Sequence, residues 1–130
     1  MQSFKVSQAA QLLGVSDDTV RRWIEQGSLP VGAGRPIEVP GDALAAKAIE
    51  LASTPADPDA TRSSARNRFV GLVVRVQRDG VMAQIDIQAG PHRVVSLLSA
   101  EAVDELGLEV GSLAAAVVKA TNVIVETPSA

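Results

Sequence analysis

Apolar residues recur at helical spacing through the first fifty positions and alternate with polar ones after residue 64, so the chain changes its period once. Ala9, Ala10, Leu12 and Leu13 share one helical face, which predicts a first helix capped by Ser7 and ended at Gly14. Ser16 caps a second helix, on which Val20, Trp23 and Ile24 fall at i, i+3 and i+4 and Gly27 marks the end. Its opposite side carries Asp18, Arg21, Arg22 and Glu25. Val31 to Val39 reads as two short extended pieces around glycines, a small hairpin or wing. A third helix runs from Asp42 to about Leu51, with Leu44, Ala48 and Leu51 facing inward.

Thr54 to Ser63 holds two prolines, two aspartates and no large apolar side chain, the composition of a linker. Beyond it, Phe69 to Val76 is one strand, and Val81, Ala83, Ile85 and Ile87 alternate along a second, joined to the first by a turn at Asp79-Gly80. Val94 to Leu98, Leu113 to Val118 and Val123 to Val125 complete five strands. Ser99 caps a short helix from Ala100 to Leu106 that Gly107 closes. The fold expected is α+β in two domains: a winged helix-turn-helix over residues 1–53, a linker over 54–63, and a small closed or nearly closed β-barrel of the OB type over 64–127.

Composition changes this picture in three ways. Trp23, Phe4 and Phe69 are the only aromatic residues, so both cores rest on Val, Leu, Ile and Ala, and oligomerisation is an expected source of further burial. Cysteine is absent, which removes disulfides, thiolate metal sites and Cys nucleophiles, and His92 stands alone in a Gly-Pro-His turn, the setting of a solvated residue far more often than of a catalytic base or metal ligand. With the carboxylates expected on solvated faces, no catalytic constellation forms, and an enzyme is not expected. The net charge of −3 is spread evenly: residues 1–53 carry five Lys/Arg against six Asp/Glu, and residues 64–130 six against seven. No run reaches membrane-span length and no signal-peptide pattern opens the chain, so a cytoplasmic protein is expected.

Ser64-Ala65-Arg66-Asn67 places a hydroxyl, a guanidinium and a carboxamide just before the first strand. Arg supplies a fixed fork of donors with permanent charge, a match for a small oxyanion. Ser96, Ser99 and Lys119 are further donors at the edges of other apolar runs. Each has a plainer explanation: a helix cap for Ser99, a solvated strand end for Lys119, a surface ion pair for Arg66.

Val6 to Pro30 resembles the MerR-like and excisionase-like helix-turn-helix family, through the two-alanine first helix, Leu-Gly-Val-Ser, Thr-Val-Arg-Arg-Trp-Ile and Gly-x-Leu-Pro. The resemblance implies that Thr19, Arg21 and Arg22 lie near double-stranded DNA, with Arg35 on the wing. A solvated face with Asp18–Arg22 and Arg21–Glu25 pairs is the competing reading of the same helix. Arg35 stands alone where that family's wing commonly has several basic residues, so DNA binding is expected to need a dimer or larger assembly.

Residues 64–126 are similar to the molbindin (Mop) domain, found also in molybdate-dependent transcription regulators and molybdate transporter ATPases. The likeness is carried by Ser64 to Asn67, Gly71-Leu72-Val73, Ser96 to Glu101, Glu105 to Leu108, Gly111 and Val118 to Val123. It implies a molybdate, or equally tungstate, site in which Ser64 and Arg66 of one copy face Ser96, Ser99, Lys119 and Ala120 of a neighbour. A tetrahedral dianion offers only acceptors, and Arg66 and Lys119 would balance its charge. Dimer and hexamer both remain open, and no metal-ion ligand set is implied. The two resemblances together imply a molybdate-responsive DNA-binding regulator of molybdate uptake or molybdenum cofactor genes. The alternative is an intracellular molybdate storage protein whose helical half serves assembly.

Overall fold

The computed structural model describes residues 2–52 and 62–128, which belong to two compact units, residues 1–53 and 54–130. Of the linker expected over 54–63, only Arg62 and Ser63 lie within the described residues.

In the first unit, β1 (Ser3–Lys5) leads directly into α1 (Val6–Leu13), followed by α2 (Asp17–Glu25), β2 (Glu38–Pro40) and α3 (Gly41–Leu51). Ser7 does not cap α1: Lys5 holds the cap position, and its backbone N–H donates to the Gln8 side chain at 3.1 Å. The chain has already committed to the helix at Val6 because β1 delivers it there. Ser16 does cap α2, accepting from Thr19 N–H at 3.1 Å, and Gly14 and Gly27 take the left-handed conformations that end the helices. The wing is slighter than expected. Its two pieces share the bond from Gly32 N–H to the Glu38 carbonyl, while β2 finds its ladder with β1, pairing Phe4 with Val39.

Ala9, Ala10, Val20, Leu29, Val39 and Leu44 form the core of this unit. On α3 the expected inward residues Ala48 and Leu51 are exposed, and Lys47 is buried instead. Its ammonium lies 4.7 Å from the centre of the Trp23 ring and 3.4 Å from Glu50, so an aromatic face and a carboxylate replace water around the charge.

The second unit is a single antiparallel sheet of four strands: β3 (Asn67–Arg78), β4 (Met82–Ala89), β5 (His92–Ser99) and β6 (Leu113–Val118), in the order β5-β4-β3-β6. β3 is long because it serves two partners, β6 along residues 67–72 and β4 along 72–78, with a bulge between Val73 and Arg75. Gly71 sits where the backbones crowd: a Cβ there would run into the Gln88 carbonyl. Bulge and glycine together curl the sheet into a half-barrel. Its inner face buries Val73, Ala83, Ile85 and Ile87 against Val103 of α4 (Ala100–Leu106). Gly107 ends α4 as expected, at φ +63.

The expected fifth strand, Val123 to Val125, does not form. After a 3-10 turn at Ala120–Asn122 these residues run outside the sheet, with Ile124 and Val125 more than four-fifths exposed. High strand propensity alone does not make a strand; these residues pair with neither free edge of the sheet. The barrel is therefore open between β5 and β6.

Candidate functional site

Asn67 and Val118 form the outermost pair of the β3–β6 ladder, so the chain enters β3 and leaves β6 at the same end. Arg66 directly precedes that pair and Lys119 directly follows it. Both side chains are exposed, and neither has a hydrogen-bond or ion-pair partner among the described residues. The arginines on the strands are engaged: Arg75 donates to Gln77 at 2.8 Å, Arg78 grips Asp104, Arg93 pairs with Asp86, and Arg68 has a partner too. Two uncompensated cations at one strand end favour an anion between them. Ala120 begins the turn beyond Lys119, whose two bonds run from Asn122 N–H to the Lys119 carbonyl and from Val123 N–H to the Ala120 carbonyl. That turn uses neither the Ala120 nor the Thr121 N–H. Ser64 is exposed ahead of Arg66, with its hydroxyl unpartnered among the described residues.

Ser96 faces inward opposite Ile85 and lines a cleft of about 490 Å³ between the two edge strands. The rest of the lining is apolar, and on β6 it extends from Leu113 to Val118, the residue before Lys119. Ser99, three positions along β5, stands outside that lining. Its Oγ accepts from Ala102 N–H at 3.0 Å, which caps α4 and leaves the hydroxyl proton available to another acceptor. One copy thus gathers Arg66, Lys119 and Ala120 at one end of the sheet. Ser96 reaches the connecting cleft, and Ser99 stands apart.

Two anchors hold α4, and with it Ser99. The Arg78 fork meets Asp104 at 2.7 and 3.1 Å and adds a bond to the Ala100 carbonyl. The Arg78–Asp104 hydrogen bond and the opposite charge hold the Asp104 carboxyl below the ordinary carboxylate range and raise the Arg78 guanidinium. Asp79 accepts from the Val81 and Met82 N–H groups at 2.8 Å, which fixes the β3–β4 turn and lowers its pKa likewise. Asp86 corrects the expectation of solvated carboxylates: it is 2% exposed on the outer face of β4. The Gln84 amide, ahead of Arg93 and Arg75, holds it charged against the opposing effect of burial.

In the first unit, Arg21 and Arg22 project from α2 into solvent. Neither i, i+4 pair weighed from the sequence forms; Arg21 instead reaches Asp18 at 3.7 Å, a loose, exposed pair that costs little to break. Arg22 and Arg35 have no partner among the described residues, and Arg35 is exposed in the loop before β2. Thr19 is partly occupied: its Oγ1 lies 2.9 Å from Ser16 Oγ within the cap. Sequence reasoning gave no role to Asn67, Lys47 or Asp86. Only Asn67 had a signal, as the last residue of the tetrad. Among the described residues no His/Cys/Asp/Glu group is arranged to hold a metal ion, and no helix is long and apolar enough to cross a membrane.

Comparisons with known proteins fall on the same two units. Residues 63–125 match the TOBE domain family, and residues 3–46 match a helix-turn-helix domain family. Molybdenum-pterin-binding protein 2 of Clostridium pasteurianum is 38% identical over 63 residues, which are 48% of this chain and 93% of that protein. A probable molybdenum-pterin-binding protein of Haemophilus influenzae is 46% identical over 63 residues, covering 48% and 91%. Among solved structures, a molybdate-binding protein from Sporomusa ovata aligns with TM-score 0.50 at 28% identity, over 52% of this chain and all of that one. The cytoplasmic molybdate-binding protein ModG, with molybdate bound, aligns with TM-score 0.52 at 38% identity, over 55% of this chain and 52% of its own.

Proposed function

The chain belongs, through its TOBE domain, to the family of the molybdenum-pterin-binding proteins, and from that membership we infer that it is a molybdate-responsive DNA-binding regulator. The observation that carries the anion half is the meeting of Arg66 and Lys119 at one ladder end without a counter-charge among the described residues. Molybdate, or tungstate of the same charge and shape, supplies two negative charges and four acceptor oxygens to that end. In this reading residues 64–127 are the anion-binding domain and 54–63 the linker. Where the resemblance implied a division between Arg66 and Lys119, the ladder end brings them together, so in this reading Ser64, Arg66, Lys119 and Ala120 of one copy act with Ser96 and Ser99 of another. The separation of Ser99 from Arg66 within one copy supports a shared site, as does the open cleft between β5 and β6. Such a site makes the protein a homo-oligomer.

The helix-turn-helix domain over residues 1–53 presents Thr19, Arg21, Arg22 and Arg35 to double-stranded DNA, and the genes read are those of molybdate uptake or molybdenum cofactor formation. Anion binding between copies then favours one spacing of the paired heads over another. The protein acts in the cytoplasm.

Isothermal titration of the full chain with molybdate, tungstate and sulfate tests the anion half. Molybdate binding that Arg66→Ala and Lys119→Ala each weaken by about tenfold or more, while leaving it measurable, is the expected result; a silent wild-type chain, or equal affinity for sulfate, overturns it. For the DNA half, affinity for duplex DNA is expected to fall steeply with salt and to drop in Arg21→Ala and Arg22→Ala. The even charge of the head, five cations against six acids, favours the second reading of a molybdate store whose head serves assembly. Absence of DNA binding by every oligomer at low salt would decide for it.

A further inference from the structure

Asn67 belongs to no ligand set above, yet its side chain makes a bond that no backbone ladder requires: Nδ2 donates to the Val118 carbonyl at 3.2 Å. The two residues are 51 positions apart in sequence and form the last pair of the β3–β6 ladder. Immediately outside that pair stand Arg66 and Lys119, exposed and without counter-charge among the described residues. Ladder ends open first because little burial holds them, and repulsion between two cations pushes the same way.

We propose that Asn67 is a positioning residue that holds Arg66 and Lys119 side by side before an oxyanion arrives; the proposal rests on the molybdate reading of this site. A carboxamide suits the task. It is neutral, so it neither repels the anion nor neutralises the cations, and its N–H₂ is the donor a strand-end carbonyl needs. Asn67 is half-buried, where such a bond counts for more than in open water. Lys119 is secured on its far side by the turn, through the bond from Asn122 N–H to its carbonyl. Arg66 lies outside the strand, so its backbone is only as fixed as the pair next to it. Preorganisation of this kind raises affinity by removing an ordering cost, with no contact between Asn67 and the anion.

The test is a double-mutant cycle on the full chain, read by molybdate calorimetry, with Gln77→Ala on the same strand as the control. Asn67→Ala is expected to weaken molybdate binding roughly two- to tenfold, the worth of one such hydrogen bond, and Gln77→Ala to leave it unchanged. In an Arg66→Ala background the Asn67→Ala penalty is expected to shrink toward none, because its effect travels through Arg66. Without any ligand, Asn67→Ala is expected to speed amide exchange at the β3–β6 end and not at the β3–β4 hairpin. Asn67→Leu, of similar shape and without a donor, reads the same loss should the alanine variant fold poorly. Wild-type binding with an unchanged Asn67 variant, or a full penalty retained in the Arg66→Ala background, overturns the positioning role and leaves the molybdate reading standing. A wild-type chain silent to molybdate overturns both.

Discussion

The two units bury their apolar residues to different degrees. Among the described residues, three large apolar side chains of the helical head are exposed, Leu12, Ile49 and Leu51, against fourteen in the sheet unit. The head encloses Val20, Leu29 and Val39 almost completely and caps α2 with its own Ser16. The sheet unit leaves two strand edges facing an apolar cleft, a β-branched tail in solvent and two cations unpaired. A fold that is finished alone needs no partner to be stable; one that leaves edges and apolar faces open is shaped for company. The lesson is a contrast in closure: the head covers its own core, and the sheet unit leaves open the surfaces that the proposed reading gives to ligand and partner copy.

The sharpest way to break that comparison is through the head's own core. Leu29→Ala is expected to destabilise the head by about 2–5 kcal/mol while leaving the sheet unit's unfolding unchanged, read by exchange protection in each unit. A single shared transition would show that the head is not self-sufficient. Next in size is a change at Ser99 that separates its two roles. Ser99→Asp keeps an acceptor for the Ala102 N–H, so α4 should stay capped, yet it removes the hydroxyl donor and adds repulsion. Molybdate affinity is expected to fall at least about tenfold at nearly constant thermal midpoint; unchanged affinity would take Ser99 out of the site. Lys47→Met is smaller, costing the head roughly 1 kcal/mol through the lost cation–π contact and shifting Trp23 fluorescence. An unaltered emission spectrum would place Lys47 elsewhere in solution.

The smallest expected effect is that of pH on the sheet unit. Asp79, Asp86 and Asp104 have carboxyls held below their ordinary value in the folded state. Their contribution is therefore present above about pH 4, the unfolded value, and is lost as pH falls through that value toward the folded ones. The sheet unit's thermal midpoint is expected to decline over that window, and Asp104→Asn to flatten the decline. A midpoint equally pH-dependent in the variant would remove Asp104 from the account.

Much of this was legible in the sequence wherever cause and effect lie close together in the chain. Ser16 and Gly27 around α2, Ser99 and Gly107 around α4, and the Asp79-Gly80 turn are local devices, and each acts where the pattern placed it. Pairings between distant segments were not legible. β1 and β2 are three residues each and meet across more than thirty positions, so no periodicity announces them. Lys47 and Asp86 are buried by virtue of Trp23 and of Gln84 with Arg93, partners that only the folded chain supplies. Val123 to Val125 had the composition of a strand, yet the folded chain carries them outside the sheet, paired with neither free edge. At the site, the tetrad and Lys119 were visible as residues, whereas their meeting depends on β3 pairing with a strand some fifty positions later.

That long reach of β3 also sets an order in time. The β3–β4–β5 meander closes through short turns, and its loop-closure cost is small. β6 must cross back past α4 to reach the far half of β3, beyond the Gly71 bend, and non-local pairings of this kind form late. During synthesis the meander has all its residues before Leu113 leaves the ribosome. The end that carries Arg66 and Lys119 cannot be assembled until residues 113–119 have emerged, so in the proposed reading a nascent chain short of them holds no complete anion site.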